Sequence, residues 1–153
     1  MRFYLSGKLP NQHKRTLEKF AASLAKELSL SQDPRETCII FMNDNEIKAI
    51  NRKFLNHNFA TDVITFPYEP QKRASILSQD QPFGDIYISV DTARKQAQKG
   101  NYPLRQELAL LVAHGFLHLL GYKDYSPRQR ARMFAKQKTL LSAINPKLAP
   151  PDL

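Results

Sequence analysis

The sequence predicts an α/β fold, a single-domain sandwich with a four-stranded mixed sheet and about five helices. Segments rich in β-branched and aromatic residues alternate with segments whose apolar residues recur every three or four positions. This mixing within 153 residues favours one core that strands and helices share. One long segment is apolar nearly all round, which is typical of a helix buried at the centre of a domain.

The first half of the chain contains three predicted strands and two predicted helices. The strands, which are rich in β-branched and aromatic residues, are Arg2–Leu5, Cys38–Met42 and Asp62–Phe66. Between the first two strands, apolar residues spaced by three or four positions from Leu17 to Leu28 predict an amphipathic helix. Asn43, with Glu46 three positions later, predicts a capping box that opens the second helix.

The second half begins with a predicted flexible loop over residues 68–82, which are rich in Pro, Gln, Ser and Lys and show no periodicity. The elements that follow are a strand at Gly84–Val90, a helix at Thr92–Lys99 that Gly100 closes, a long helix from Pro103 to about Leu120, and a last helix that opens at Ser126. Residues 1–153 are therefore predicted to form a single domain, with a tail that frays after about residue 145.

Composition limits the partners that this chain can have. Its net charge is +9 and its pI is about 9.8, which favours polyanions and above all nucleic acid, although a solvated positive surface is the alternative. Cys38 is the only cysteine, so no internal disulfide can form, and a cytoplasmic location is expected. No segment has the ~20 apolar residues of a membrane span, and no P-loop or dinucleotide motif is present. We therefore expect neither a membrane nor a nucleotide cofactor.

The most informative motif is AHGFLHLLGYKDY, at Ala113–Tyr125. His114 and His118 share one face of the long helix because they are four positions apart, so both imidazoles can bind one metal ion. Gly121 can take the left-handed conformation that ends a helix, and the chain can then return Asp124 as a third ligand. The spacing resembles the metzincin pattern H-E-x-x-H-x-x-G-x-x-H, with Asp124 in place of the third histidine.

One position in this motif distinguishes it from a peptidase site. Gly115 stands where metzincins have the glutamate that activates water, so the pattern indicates metal binding without peptide hydrolysis. Three protein ligands suit a catalytic zinc ion, which keeps one position open. The alternative is a pair of hydrogen-bonded core histidines. Glu107, two helical turns before His114, is either a partner behind the ligands or a solvated charge.

The quoted residues resemble a known family. HGFLHLLGYKD is similar to the HGxLHLxGYDH signature of the YbeY family, bacterial metal-dependent endoribonucleases that mature ribosomal RNA, and the likeness extends over roughly residues 36–140. The resemblance implies the fold predicted above and a zinc ion held by three histidines. Two of these correspond to His114 and His118, and the third falls on Asp124. A carboxylate is a harder ligand than imidazole, so manganese or another divalent ion is an alternative to zinc.

A second departure from the family concerns catalysis. Many members have an arginine, thought important for RNA cleavage, where this chain has Leu55. No catalytic residue is therefore assigned. His57 is the one candidate for a group near the phosphate, and the alternative is that it is an exposed loop histidine without a role. The candidate RNA-binding residues are Arg52 and Lys53, which shortly precede Leu55, and Arg128 at the start of the basic last helix.

The resemblance and the charge together predict a zinc-dependent hydrolase, an endoribonuclease specific for single-stranded RNA. Its expected roles are the maturation of small-subunit ribosomal RNA and ribosome quality control, so its expected partners are single-stranded RNA and the RNA of the small ribosomal subunit. The alternative is a non-catalytic ribosome-assembly factor that binds RNA and in which the metal is structural. The absence of the arginine at Leu55 favours that alternative, whereas Gly115 argues against a peptidase.

Overall fold

The computed structural model describes residues 1–69 and 82–151. Within these residues the elements are, in order, β1 (Arg2–Gly7), α1 (Asn11–Glu27), β2 (Glu36–Met42), α2 (Asp44–Leu55), β3 (Val63–Pro67), β4 (Pro82–Ser89), α3 (Val90–Gly100), α4 (Leu104–Leu119), α5 (Pro127–Ile144) and a 3₁₀ turn (Pro146–Leu148). The predicted loop over residues 68–82 lies mostly outside the described residues, and β4 begins two residues earlier than the sequence predicted.

The four strands form one mixed sheet in the order β1-β2-β4-β3. β1, β2 and β4 run parallel, whereas β3 runs antiparallel to β4 along one edge. Alternate side chains of the central strands, such as Ile39 and Ile86, point to the main core and are fully buried. The opposite face carries a smaller apolar cluster with Ile47 of α2 at its centre. The predicted α/β fold and its four-stranded mixed sheet are confirmed.

Helix α4 occupies the centre of the main core. It packs against α1, α3 and α5 and against strands β3 and β4, and ten of its residues are buried. Gly115 allows a close approach to the sheet, because a Cβ atom at this position would lie only 2.7 Å from Cγ2 of Ile86. The sequence was therefore correct in placing the histidine-bearing helix centrally.

The ends of the helices follow local sequence signals with two exceptions. Asn43 and Glu46 form the predicted capping box, and Gly121 adopts the left-handed conformation at φ 93°. At the end of α3, however, Asn101 rather than Gly100 is the left-handed residue.

The prediction that the tail frays after about residue 145 is wrong for residues 146–150. Leu148 is buried in the core, and the carbonyl of Lys147 accepts a hydrogen bond from Gln106.

None of the helices in the described part of the chain combines the length and hydrophobicity that a membrane span requires.

Candidate metal centre

Two imidazoles and one carboxylate converge at the C-terminal end of α4. The Nε2 atoms of His114 and His118 lie 3.0 Å apart. Oδ2 of Asp124 lies 3.5 Å from Nε2 of His118 and 3.8 Å from Nε2 of His114. The three side chains are between about a fifth and a third exposed. The structure therefore brings together the three residues that the sequence predicted as metal ligands.

A tight helix end returns the chain to place Asp124. The backbone N–H of Gly121 donates to the carbonyl of His118 at 2.9 Å, and that of Tyr122 donates to Leu117 at 3.0 Å. These bonds close the last turn around the left-handed glycine, which has no neighbouring atom within 4 Å of where a Cβ would lie. Glycine is needed here for its backbone conformation, because nothing crowds the position. Arg130 then holds the loop by donating to the carbonyl of Asp124 at 3.1 Å.

Each histidine ring is oriented through its second nitrogen. Nδ1 of His118 lies 2.9 Å from the carbonyl oxygen of Tyr122, and Nδ1 of His114 lies 2.7 Å from Oε1 of Gln137. Both oxygens are hydrogen-bond acceptors, so the neutral tautomer that fits them carries its proton on Nδ1 and keeps a lone pair on Nε2. This second hydrogen bond is the usual arrangement behind a metal-binding histidine.

The resulting set of donor atoms fits a divalent cation. Two lone pairs and a carboxylate oxygen face one another without a proton donor between them, which is unfavourable unless a cation lies among them. Tetrahedral zinc with ligand distances of about 2.0–2.1 Å separates its ligand atoms by about 3.3 Å, close to the observed 3.0, 3.5 and 3.8 Å. Burial and the neighbouring His114 lower the pKa of His118, which favours the neutral imidazole that binds metal.

The position after the first histidine points away from this group. A side chain at Gly115 would meet Ile86 and Val63 of the sheet, so a glutamate there would be directed into the core. The close packing of α4 on the sheet therefore requires a small residue at this position, where metzincins have their glutamate. Glu107 is neither a partner behind the ligands nor a solvated charge, because it is 3% exposed and its hydrogen bond comes from the hydroxyl of Tyr102. Burial raises the pKa of this carboxyl group.

Two polar residues of α5 lie beside the ligands, Arg130 of the predicted basic helix and Gln137, which the sequence did not indicate as a site residue. A cavity of about 200 Å³ is lined by His114, Asp124, Arg130, Met133, Phe134 and Gln137. Arg130 brings a positive charge to this cavity. Gln137 is 6% exposed and lies on the apolar face of α5, between Met133 and Leu140. A polar residue at an apolar helical position is the signal that points to it.

The candidate RNA-binding residues occupy two separate helix ends. Arg52 and Lys53 lie in the last turn of α2, and Arg128 lies in the first turn of α5. All three are exposed, and the structure shows no ion pair for any of them within residues 1–69 and 82–151. His57 is also exposed, and its ring stacks on that of Phe59. The roles of these four residues in RNA binding and catalysis stay predictions.

Comparison with known proteins identifies relatives across most of the chain. A family model described as Endoribonuclease YbeY matches residues 6–145. The protein named Endoribonuclease YbeY in Bacillus licheniformis is 37% identical over 141 residues, which cover 90% of this chain and 89% of the relative. The protein of the same name in Acholeplasma laidlawii is 33% identical over 135 residues. The matched region covers 88% of this chain and 93% of that relative. The solution structure of TM1509 from Thermotoga maritima superposes with a TM-score of 0.65 at 25% identity, covering 93% of this chain and 88% of that one.

Proposed function

Because this chain belongs to the YbeY family, we propose that it is a metal-dependent endoribonuclease that cleaves single-stranded RNA during the maturation of small-subunit ribosomal RNA. The names of its relatives support the nuclease activity. The proposed resident ion is zinc, one per chain, bound by His114, His118 and Asp124, with manganese tolerated because one ligand is a carboxylate.

The observation that carries the proposal is the triangle of Nε2, Nε2 and Oδ2 atoms at the end of α4. Its ligands are partly exposed, and two of them, His114 and Asp124, border a cavity. A structural zinc site is usually closed by four protein ligands, whereas three ligands next to open space leave room for water or a phosphate. This geometry favours a catalytic site over the structural metal of an assembly factor.

The protein supplies orientation and charge at this site. A bound divalent ion would polarise a phosphoryl oxygen and lower the pKa of a water molecule. Gln137 and the carbonyl of Tyr122 hold the two imidazoles with their Nε2 atoms towards each other and towards Asp124. Arg130 holds the loop that carries Asp124 and places a guanidinium group where a phosphate would enter.

Helix α5 extends this positive charge away from the metal site. It carries five basic residues and no acidic residue between Pro127 and Ile144. The basic residues are Arg128, Arg130, Arg132, Lys136 and Lys138. A phosphate backbone that follows this helix would displace counterions, so RNA binding is expected to weaken steeply with salt.

The decisive experiment measures cleavage of a labelled single-stranded RNA by nuclease-free protein, with chelator and with zinc restored. We expect slow endonucleolytic cleavage that requires the metal, and resistance of the same sequence in a duplex, whose stiff backbone cannot bend into the cavity. Elemental analysis should find about one divalent ion per chain.

The controls for this experiment are two histidine variants. His118→Ala removes a ligand and should abolish both metal binding and cleavage, whereas His13→Ala, which removes a partly exposed histidine of α1, should change neither. Wild-type protein that binds RNA and metal but never cuts would support the non-catalytic assembly factor instead. Cleavage that survives in His118→Ala would reveal a contaminating nuclease.

A further inference from the structure

The end of α2 and the loop that follows it form an exposed surface with an unusual composition. Residues 52–59, with the sequence RKFLNHNF, are all exposed. Phe54 and Phe59 are 59% and 55% exposed. We call this run of eight residues the α2–β3 surface. Two exposed phenylalanines five positions apart, one in the last turn of α2 and one in the loop after it, indicate a contact surface.

The buried residue Asn51 holds this loop in place through hydrogen bonds. Asn51 is 1% exposed, and its side-chain amide donates to the carbonyl of Phe59 at 2.9 Å. The backbone carbonyl of Asn51 accepts from the N–H of His57 at 3.2 Å. Asn56 takes the left-handed conformation that ends α2. A buried residue thus fixes both sides of the loop, so the exposure of its rings is part of the fold.

The two aromatic rings are also held in place. Phe54 makes an edge contact with Phe66 at a centroid distance of 5.5 Å. The rings of His57 and Phe59 stack at 5.4 Å, with 13° between their planes. Rings that are already oriented lose little entropy when a flat partner stacks on them.

The charge of the surface favours a polyanion. Residues 47–61 contain three basic residues and no acidic residue. Arg52 and Lys53 have no acidic partner in the part of the chain that the structure describes, and Nζ of Lys53 lies 5.2 Å from the centre of the Phe54 ring. Aromatic rings interleaved with cations that have no acidic partner in the described residues match a strand of unpaired nucleotides, which offers both flat bases and phosphates.

The surface leads along the chain to a strand that packs on the helix of the metal ligands. Val63, four residues after Phe59, packs next to Gly115, which adjoins the ligand His114. Four extended residues span at most about 14 Å. Phe59 therefore lies within about 14 Å of a residue that contacts α4, so an RNA strand of several nucleotides could reach from the metal ligands to Phe59.

We propose that the α2–β3 surface binds single-stranded RNA by stacking unpaired bases on Phe59 and Phe54, while Arg52 and Lys53 contact phosphates. This inference rests on the proposed function and assigns it a mode of substrate recognition. It also gives a reason for single-strand specificity, because bases within a duplex are stacked on one another and offer no free face to a protein ring.

The test measures binding of a labelled single-stranded oligoribonucleotide to the full chain by fluorescence anisotropy, with chelator present so that no cleavage occurs. Phe59→Ala should weaken binding about tenfold. Phe59→Trp should bind at least as well as the wild type, whereas Phe59→Leu, which is apolar but not flat, should bind as weakly as Phe59→Ala. Tyr4→Ala is the matched control, since Tyr4 is an exposed aromatic residue (48%) on the far edge strand β1, and it should bind as the wild type does.

A second oligonucleotide tests whether the loss of affinity in Phe59→Ala comes from lost base stacking. On an oligonucleotide whose bases have been removed, the penalty of Phe59→Ala should disappear. Wild-type affinity of Phe59→Ala or Phe59→Leu for normal RNA, or a penalty that persists on the abasic strand, would overturn the inference. So would a wild-type dimer in sedimentation that Phe59→Ala dissociates, because the surface would then join two copies of the chain. Failure of the proposed nuclease has a different signature, in which the wild type binds RNA in this way but does not cut it when zinc is restored.

Discussion

Oε1 of Gln137 lies 2.7 Å from Nδ1 of His114, so a residue of α5 orients a candidate metal ligand that lies 23 positions earlier on α4. The metal centre therefore depends on how these two helices pack, in addition to the spacing of the histidines along α4. His118 does not share this dependence, because it bonds to the carbonyl of Tyr122 four residues away.

Gln137→Leu should weaken zinc binding about 10- to 100-fold, because His114 loses the acceptor that orients its ring. Gln137→Glu keeps an acceptor oxygen and should retain the affinity. A competition titration with a zinc-binding dye measures both variants, and Gln98→Leu on the exposed side of α3 is the control. Equal zinc affinity of Gln137→Leu and the wild type would show that this hydrogen bond does not position the ligand.

Asp124→His should keep metal binding and shift its preference towards zinc over manganese, because imidazole is a softer ligand than carboxylate. Competition between the two ions, followed by elemental analysis, measures the ratio of affinities. Asp124→Ala, which leaves two protein ligands, should weaken both ions. If the ratio is the same for Asp124→His and the wild type, Asp124 does not contact the metal.

Leu55→Arg should raise the rate of RNA cleavage by about tenfold, because a guanidinium group near the scissile phosphate stabilises the charge that develops there. Leu55 is 45% exposed, so the substitution should not disturb folding. Asn58→Arg adds the same charge to the same loop and is the control for tighter binding alone. Comparison of kcat at saturating RNA separates the two effects, and an equal gain in both variants would count against a specific role for position 55.

Gly115→Ala should lower the free energy of unfolding by about 1–2 kcal/mol, because the cost of overpacking exceeds the gain in helix propensity. The added Cβ would lie 2.7 Å from Cγ2 of Ile86, which is fully buried. Urea denaturation measures the change. In the background of Ile86→Ala the same substitution should cost less, and strictly additive effects would contradict the proposed contact.

Asp44 should make stability depend on pH in the acid range. Burial raises the pKa of its carboxyl group, but hydrogen bonds from Lys95, Ser89 and Thr92 outweigh that effect and lower the pKa to about 2. Because the folded-state pKa lies below that of the unfolded chain, the stabilisation is complete above about pH 5 and is lost as the pH falls towards 2. The advantage of the wild type over Asp44→Asn in free energy of unfolding should shrink by about 2 kcal/mol between pH 6 and pH 2.

Urea denaturation at each pH measures this difference, and Glu18→Gln on the exposed side of α1 controls for the change in net charge. A constant difference between the wild type and Asp44→Asn across this range would mean that the bonds to Asp44 do not favour its ionised form.

Features that depend on neighbours a few positions away could be predicted from the sequence alone. The helical period of 3.6 residues puts His114 and His118 on one face, and a glycine after the apolar run predicts the left-handed turn at Gly121 that brings Asp124 back. The capping box at Asn43 and the alternation of strand and helix patterns are equally local. These predictions are confirmed, because each depends mainly on the backbone and on neighbours along the chain.

Contacts between side chains of different elements could not be predicted in this way, because they depend on how the helices and strands pack. Gln137 reaches His114 because α5 packs against α4, and Gly115 faces the sheet because α4 lies close against β4. Leu148 is buried because the chain after α5 returns to the core, so the tail that looked disordered by composition is packed as far as residue 150. Such contacts join residues far apart in sequence, and their partners follow from how helices and strands pack rather than from any periodicity along the chain.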